Sequence, residues 1–242
     1  MCIRDRGIDA IAHFASETLM ITPLKGVFGP AMTEYVMGWL LAIERDVISR
    51  ASHTHWTPSL EPRITGKRMG IMGTGGIGTA IALAAKPFGL EAIGLNSDGR
   101  VVDGFTACYR SADRLAFAEG LDYLVSVLPQ TARTDNLIDH EVLMRLNPRA
   151  IVINAGRGNA VVEADLIKAL NAGHLRAAVL DVFREEPLPP DDPLWSTPGV
   201  HITSHTAGPT PDEAVAEMFG RNLKRYIAGE LLADAVRAGR GY

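Results

Sequence analysis

The stretch Lys67-Arg68-Met69-Gly70-Ile71-Met72-Gly73-Thr74-Gly75-Gly76-Ile77-Gly78-Thr79-Ala80-Ile81-Ala82-Leu83-Ala84-Ala85 constrains the fold more than any other in the chain. A basic pair leads into a short apolar run, then Gly73-x-Gly75-x-x-Gly78, then an alanine-rich run, which reads as strand, tight turn and helix. The first glycine permits the turn and the second lets backbone approach a pyrophosphate. The third lets the helix pack close against the strand. Gly76, Ile77 and Gly78 open the helix, so their amides and the positive end of its dipole suit phosphate charge. A bare G-x-G-x-x-G is common. With a strand before it and a helix after it, the motif predicts dinucleotide binding.

Beyond the turn, strand and helix alternate. The sequence predicts helix 79–88 stopped by Gly89, strand 91–95, helix 111–119 and strand 123–128 ended by Pro129. It continues with helix 141–146, strand 151–153, helix 162–171, strand 177–182, a proline-rich loop 188–198 and strand 200–203. Continuous apolar strands separated by helices imply an α/β fold, a doubly wound parallel sheet with both faces covered, and ligands bound where the strands end. Before the turn, a short strand is predicted over 20–24 and an unbroken amphipathic helix over 31–50. The apolar face of that helix is expected to run through Ala31, Tyr35, Gly38, Trp39, Ala42 and Val47. Residues 53–65 read as a linker, and a last helix, 212–228, begins after Pro211.

The 242 residues carry a net charge of -4, which implies no general attraction to nucleic acid or anionic membrane. Two cysteines, Cys2 and Cys108, provide neither a disulfide framework nor a metal-ligand cluster and suit a cytoplasmic location. No apolar run approaches the roughly 20 residues that span a bilayer.

Polar residues just past the strand ends are the candidates for chemistry. Asn154-Ala155-Gly156-Arg157-Gly158 follows strand 151–153, Asp181 to Pro189 closes strand 177–182, and Ser204-His205-Thr206-Ala207-Gly208 follows strand 200–203. An arginine, a carboxylate and a histidine at one sheet edge suit a keto acid: a guanidinium for carboxylate and carbonyl oxygen, an imidazole for the proton, a carboxylate to hold the imidazole. His201 lies within its strand rather than past it. Glu185 neighbours Glu186 as a solvated residue, and Tyr35 and Trp39 are expected to serve packing.

The chain resembles the D-isomer-specific 2-hydroxyacid dehydrogenases. The resemblance rests on Gly73-x-Gly75-x-x-Gly78, Val127-Leu128-Pro129-Gln130-Thr131, Asn154-Ala155-Gly156-Arg157-Gly158, Asp181-Val182-Phe183-x-x-Glu186-Pro187-Leu188-Pro189 and Ser204-His205-x-Ala207-Gly208, in family order. Pro193-Leu194-Trp195 and the Arg240-Gly241-Tyr242 end are similar to the glyoxylate/hydroxypyruvate reductase branch. The resemblance implies NAD(P)H-dependent interconversion of a small 2-keto acid, such as glyoxylate or hydroxypyruvate, with its D-2-hydroxy acid. Arg157 would bind the substrate carboxylate and polarise the keto oxygen, His205 would be the acid/base, and Glu186 would pair with it. Asp181 matches a residue near the nicotinamide carboxamide, and Leu128, Pro129, Ala155, Gly156, Ala207 and Gly208 fall on cofactor-binding positions. A non-catalytic NAD(H)-binding regulator on the same scaffold is the alternative.

Two departures stand out. An NAD-using fold places Asp or Glu after the second strand, about 20 residues past the glycines. Here Asn96 stands there, with Ser97 and Arg100 able to meet a 2′-phosphate and Asp98 opposing it, so NADP is expected over NAD. The second is at the start, where the family's glycine-rich carboxylate-binding loop would lie upstream of Gly7. The expected organisation is a remnant of a flavodoxin-like substrate domain over 1–27, a dinucleotide-binding domain over 28–207, and a return to the substrate domain over 208–242. On this reading the chain is a fragment of low turnover that associates through its long helix as a homodimer.

Overall fold

A computed structural model describes residues 22, 24, 26–58, 63–210 and 212–232. The first helix, α1 (Gly29–Glu44), starts with Pro30 in its first turn, where a missing amide costs nothing. It is not continuous to residue 50. Asp46 adopts φ 50°, a left-handed conformation that ends the helical ladder, and α2 (Val47–Ala51) restarts beyond it. The buried stripe of α1 also differs from the expected one: it runs through Met32, Val36, Met37, Leu40 and Ile43, one position round from Tyr35 and Trp39. Most of the expected strand 20–24 lies outside the described residues, as do Pro211 and the Arg240-Gly241-Tyr242 end.

The sheet has seven parallel strands in the order β3-β2-β1-β4-β5-β6-β7. They are β1 (Arg68–Met72), β2 (Glu91–Asn96), β3 (Ala107–Arg110), β4 (Tyr123–Ser126), β5 (Ala150–Asn154), β6 (Leu175–Leu180) and β7 (Val200–Ile202). The helices between them are α3 (Gly76–Ala85), α4 (Arg114–Ala118), α5 (His140–Arg145) and α6 (Glu163–Asn171), with α7 (Asp212–Ile227) last. Order reverses between β1 and β4, the switch point at which doubly wound sheets bind ligands. One face is covered by Phe117, Leu121, Val142, Leu143, Leu166 and Leu170, from α4 to α6 and the turns beside them. The other is covered by α1 and α3 through Val36, Leu40, Ile81, Ala82 and Ala85. No helix among the described residues is long and apolar enough to cross a membrane.

Beneath the sheet, at the N-terminal ends of its strands, Glu44 is buried (2% exposed). Its carboxylate takes Lys67 Nζ at 2.9 Å, Tyr123 Oη at 2.9 Å and Arg176 Nη1 at 3.2 Å. Arg176 Nη2 also donates to the Ile43 carbonyl at 2.6 Å. β6 begins at Leu175 rather than at Ala177: Arg176 stands at the register shift between the Ala150–Leu175 and Ile151–Ala177 pairs, and its charge is met by Glu44. At its other end β6 stops at Leu180, and Asp181, whose amide still donates to Asn154 O at 3.0 Å, is the first residue past it.

Candidate active site

The glycine turn joins β1 to α3. Gly73 adopts φ 102°, which only glycine takes without strain, and its amide donates to Leu95 O at 2.9 Å. A Cβ on Gly78 would stand 1.9 Å from Gly73 O, so helix and turn touch backbone to backbone. A Cβ on Gly75 or Gly76 would meet nothing within 4 Å. The crowded third glycine and open first helical turn leave an uncovered cradle of amides at the start of a 10-residue helix. That geometry fits a pyrophosphate.

Asn96 ends β2, and its side chain is wholly engaged in the loop after that strand. Its amide donates to Thr74 Oγ1 at 3.1 Å and to Arg100 O at 2.9 Å; its oxygen accepts the amides of Gly99 at 2.6 Å and Asp98 at 3.3 Å. Asn96 therefore shapes the loop, and the groups exposed there are Ser97, Asp98 and Arg100. The Arg100 guanidinium lies 3.5 Å from Asp98, an exposed and weak pairing.

Past β4, Leu128 is buried and Pro129 half-buried. A Cβ on Gly156 would strike Leu128 backbone at 2.6 Å, so the loops after β4 and β5 are in contact. Ala155 is buried, and Asn154 shapes the turn to Arg157, donating to Arg157 O at 3.1 Å and accepting the Gly156 amide at 3.3 Å. The half-buried Arg157 donates from Nη1 to Gly156 O at 2.8 Å. Gly158 presses on the next loop: a Cβ there would lie 1.9 Å from the carbonyl carbon of Phe183. That contact sets the Arg157 turn against the segment carrying Glu186.

Glu186 accepts the Phe183 amide at 2.9 Å on Oε1, and Oε2 lies 2.9 Å from His205 Nδ1. A carboxylate only accepts, so Nδ1 carries the proton and Nε2 is left for a ligand. Glu185 is exposed and makes no such contact. His205 adopts φ 54°, a left-handed conformation costly for a residue with a Cβ. It is held there by Asp181, 1% exposed. The amide of His205 donates to Asp181 O at 2.8 Å, that of Thr206 to Oδ1 at 2.8 Å, and that of Ala207 to Oδ2 at 2.9 Å. Thr203 Oγ1 adds a fourth bond, to Oδ1 at 2.5 Å. Gly208 abuts α1, since a Cβ there would reach Met32 Sδ at 3.1 Å.

The sheet thus brings the Arg157 turn, Asp181, Glu186 and His205 to its C-terminal edge with the glycine turn. His201 is a half-buried residue of β7 whose ring packs on Trp39, centroids 5.1 Å apart, and burial pulls its pKa down. Sequence reasoning did not single out Thr203 and read Tyr35 as a packing residue; their hydroxyls are 2.7 Å apart. It also missed Arg184, which ties the loop after β4 to the site through Asp135, Asn136 and the carbonyls of Asn159 and Val161.

Residues 38–207 match the family described as D-isomer specific 2-hydroxyacid dehydrogenase, NAD binding domain. A glyoxylate/hydroxypyruvate reductase A of Yersinia enterocolitica is 34% identical over 215 residues, covering 87% of this chain and 68% of that protein. Among solved structures, an NADPH-dependent glyoxylate/hydroxypyruvate reductase from Sinorhizobium meliloti, in complex with NADP and sulfate, superposes with a TM-score of 0.88. It is 29% identical and covers 98% of this chain and 78% of that one. A D-isomer specific 2-hydroxyacid dehydrogenase from Xanthobacter autotrophicus in complex with NADPH and MES superposes with a TM-score of 0.87 at 31% identity, covering 98% of this chain and 100% of that one.

Proposed function

The chain belongs to the D-isomer specific 2-hydroxyacid dehydrogenase family, and from that premise we propose that it reduces a small 2-keto acid of the glyoxylate or hydroxypyruvate type with NADPH. The observation that carries this reading is the His205–Glu186 pair, 2.9 Å apart, at the same sheet edge as Arg157 and the glycine turn.

Gly75, Gly76, Ile77 and Gly78 would hold the pyrophosphate with their amides, and Ser97 and Arg100 the 2′-phosphate. Leu128, Pro129, Ala155, Gly156, Ala207 and Gly208 would wall the nicotinamide side of the cleft. When bound, the nicotinamide supplies the hydride that adds to the keto carbon. Arg157 holds the substrate carboxylate and polarises the keto oxygen. Entering the step doubly protonated, His205 would give its Nε2 proton to that oxygen, completing the hydroxyl, and be left neutral with its Nδ1–H still donated to Glu186. Residues 28–207 form the cofactor domain on this reading, and the flanking segments belong with the substrate side.

The test is to follow cofactor oxidation with glyoxylate and with hydroxypyruvate, using NADPH and NADH in turn. Turnover that favours NADPH supports the assignment. Tight cofactor binding without turnover of any 2-keto acid would favour a regulator on this scaffold.

A further inference from the structure

The four bonds received by Asp181 continue to α1. Thr203 Oγ1 has one proton, and the 2.5 Å contact with Asp181 Oδ1 takes it, because a carboxylate cannot donate. The 2.7 Å contact between Thr203 and Tyr35 must then run from the phenol to the threonine. The bonds converge on Asp181: Tyr35 O–H donates to Thr203, Thr203 O–H donates to Asp181, and from the other side the consecutive amides of His205, Thr206 and Ala207 donate to Asp181.

We propose that Tyr35 is a positioning residue for His205, acting through Thr203 and Asp181. The inference rests on His205 being the acid/base proposed above. Tyr35 touches α1 and the β7 end at once, its ring edge-on to Trp39 with centroids 6.5 Å apart and its hydroxyl on Thr203. The same stretch of α1 packs on the His205 loop beyond this bond. Met32 joins Ala155 and Ala207 in one buried cluster, with Phe28 and Tyr35 packed against it. A residue with a Cβ held at φ 54° persists only when its surroundings over-determine it, and here the determinants are Asp181 and the groups that fix Asp181. Burial also keeps the phenol protonated, pushing its pKa up to about 12. Without the Tyr35 proton, the Thr203 hydroxyl loses its donor and can leave Asp181, which frees the His205 turn relative to Glu186.

The test uses Tyr35→Phe, Thr203→Val and Thr203→Ser in the full chain, with His205 imidazole signals assigned by a His205→Gln control. Tyr35→Phe and Thr203→Val should displace the titration midpoint of the His205 imidazole and lower kcat about ten-fold at nearly unchanged KM, the scale of one net hydrogen bond. Thr203→Ser should restore both. Variants that lower Tm while the imidazole titrates as in the parent would overturn the proposal, leaving Tyr35 a packing residue. If the parent turns over no keto acid, the activity reading fails, and the imidazole titration still decides the positioning role.

Discussion

His205 and Glu186 meet through one ring nitrogen and one carboxylate oxygen, 2.9 Å apart, while the other oxygen of Glu186 is held by the Phe183 amide. The carboxylate is anchored before it orients the ring, so the pair is arranged in advance of substrate. Preorganisation of this kind is what proton transfer to a keto oxygen requires.

His205→Gln should therefore lower kcat for keto-acid reduction by at least about 10²-fold, while cofactor affinity measured by fluorescence changes little. Glu186→Ala should fall in the same direction and also loosen the Phe183 turn. Undiminished kcat in the His205 variant would remove this residue from the mechanism.

Gly158→Ala tests the contact between the Arg157 turn and the Glu186 segment. The added Cβ would stand 1.9 Å from the Phe183 carbonyl carbon and 2.1 Å from its oxygen, both backbone atoms that cannot rotate aside. A loss of about 1–3 kcal/mol in stability is expected, read from denaturant midpoints, with reduced activity in the folded fraction. A variant as stable and as active as the parent would mean the two loops are not tightly apposed.

Cofactor choice is better probed at Arg100 than at Asn96. An aspartate at 96 could not donate to Thr74 or to Arg100 O, so that substitution would disturb the loop as well as its charge. Arg100→Ala should weaken NADPH roughly ten- to a hundredfold, the worth of a charge-assisted contact, and leave NADH unaffected. Equal weakening of both cofactors would contradict a 2′-phosphate contact.

Much of this architecture is legible in the sequence, because buried parallel strands are continuous apolar runs: the runs read as strands 123–128 and 151–153 contain or lie within Tyr123–Ser126 and Ala150–Asn154, and only their ends differ. Strand β3 was not legible: Ala107-Cys108-Tyr109-Arg110 is a half-exposed edge strand with no apolar run. Nor was the break in α1, since the left-handed turn at Asp46 sits in an otherwise periodic stretch. Candidate site residues can be picked out because they follow strand ends. Tyr35 sits in a helix over 160 residues away from Thr203, and nothing local distinguishes a packing phenol from one that donates a proton.

Acid should destabilise the fold through His201. Burial lowers its folded-state pKa, so the unfolded chain binds this proton more readily, and stability drops as pH falls below the unfolded value near 6.5. His201→Phe, which keeps a ring against Trp39, should flatten this part of the pH–stability curve. Alkali acts in the opposite sense through Tyr35: its stabilising contribution is complete below pH 10 and is lost as pH rises through about 12. An unchanged acid limb in His201→Phe would assign the loss to other groups.

Glu44→Ala should cost about 3 kcal/mol, since it leaves Lys67, Arg176 and the Tyr123 hydroxyl without their common acceptor. Cofactor affinity should be unchanged, because the clasp lies at the opposite end of the strands. A thermal midpoint equal to the parent's would show the clasp to be energetically idle.

The Glu44 clasp also sets where this scaffold can be cut for recombination. The family's sequence signature begins at residue 38, inside α1, yet a chimera spliced there would inherit the neutralising carboxylate and lose Tyr35. One spliced between Glu44 and Lys67 would inherit Lys67 and Arg176 without the carboxylate that answers their charge. The smallest heritable piece starts ahead of Phe28, so a swap of cofactor modules between relatives must carry the whole of α1 across with the sheet.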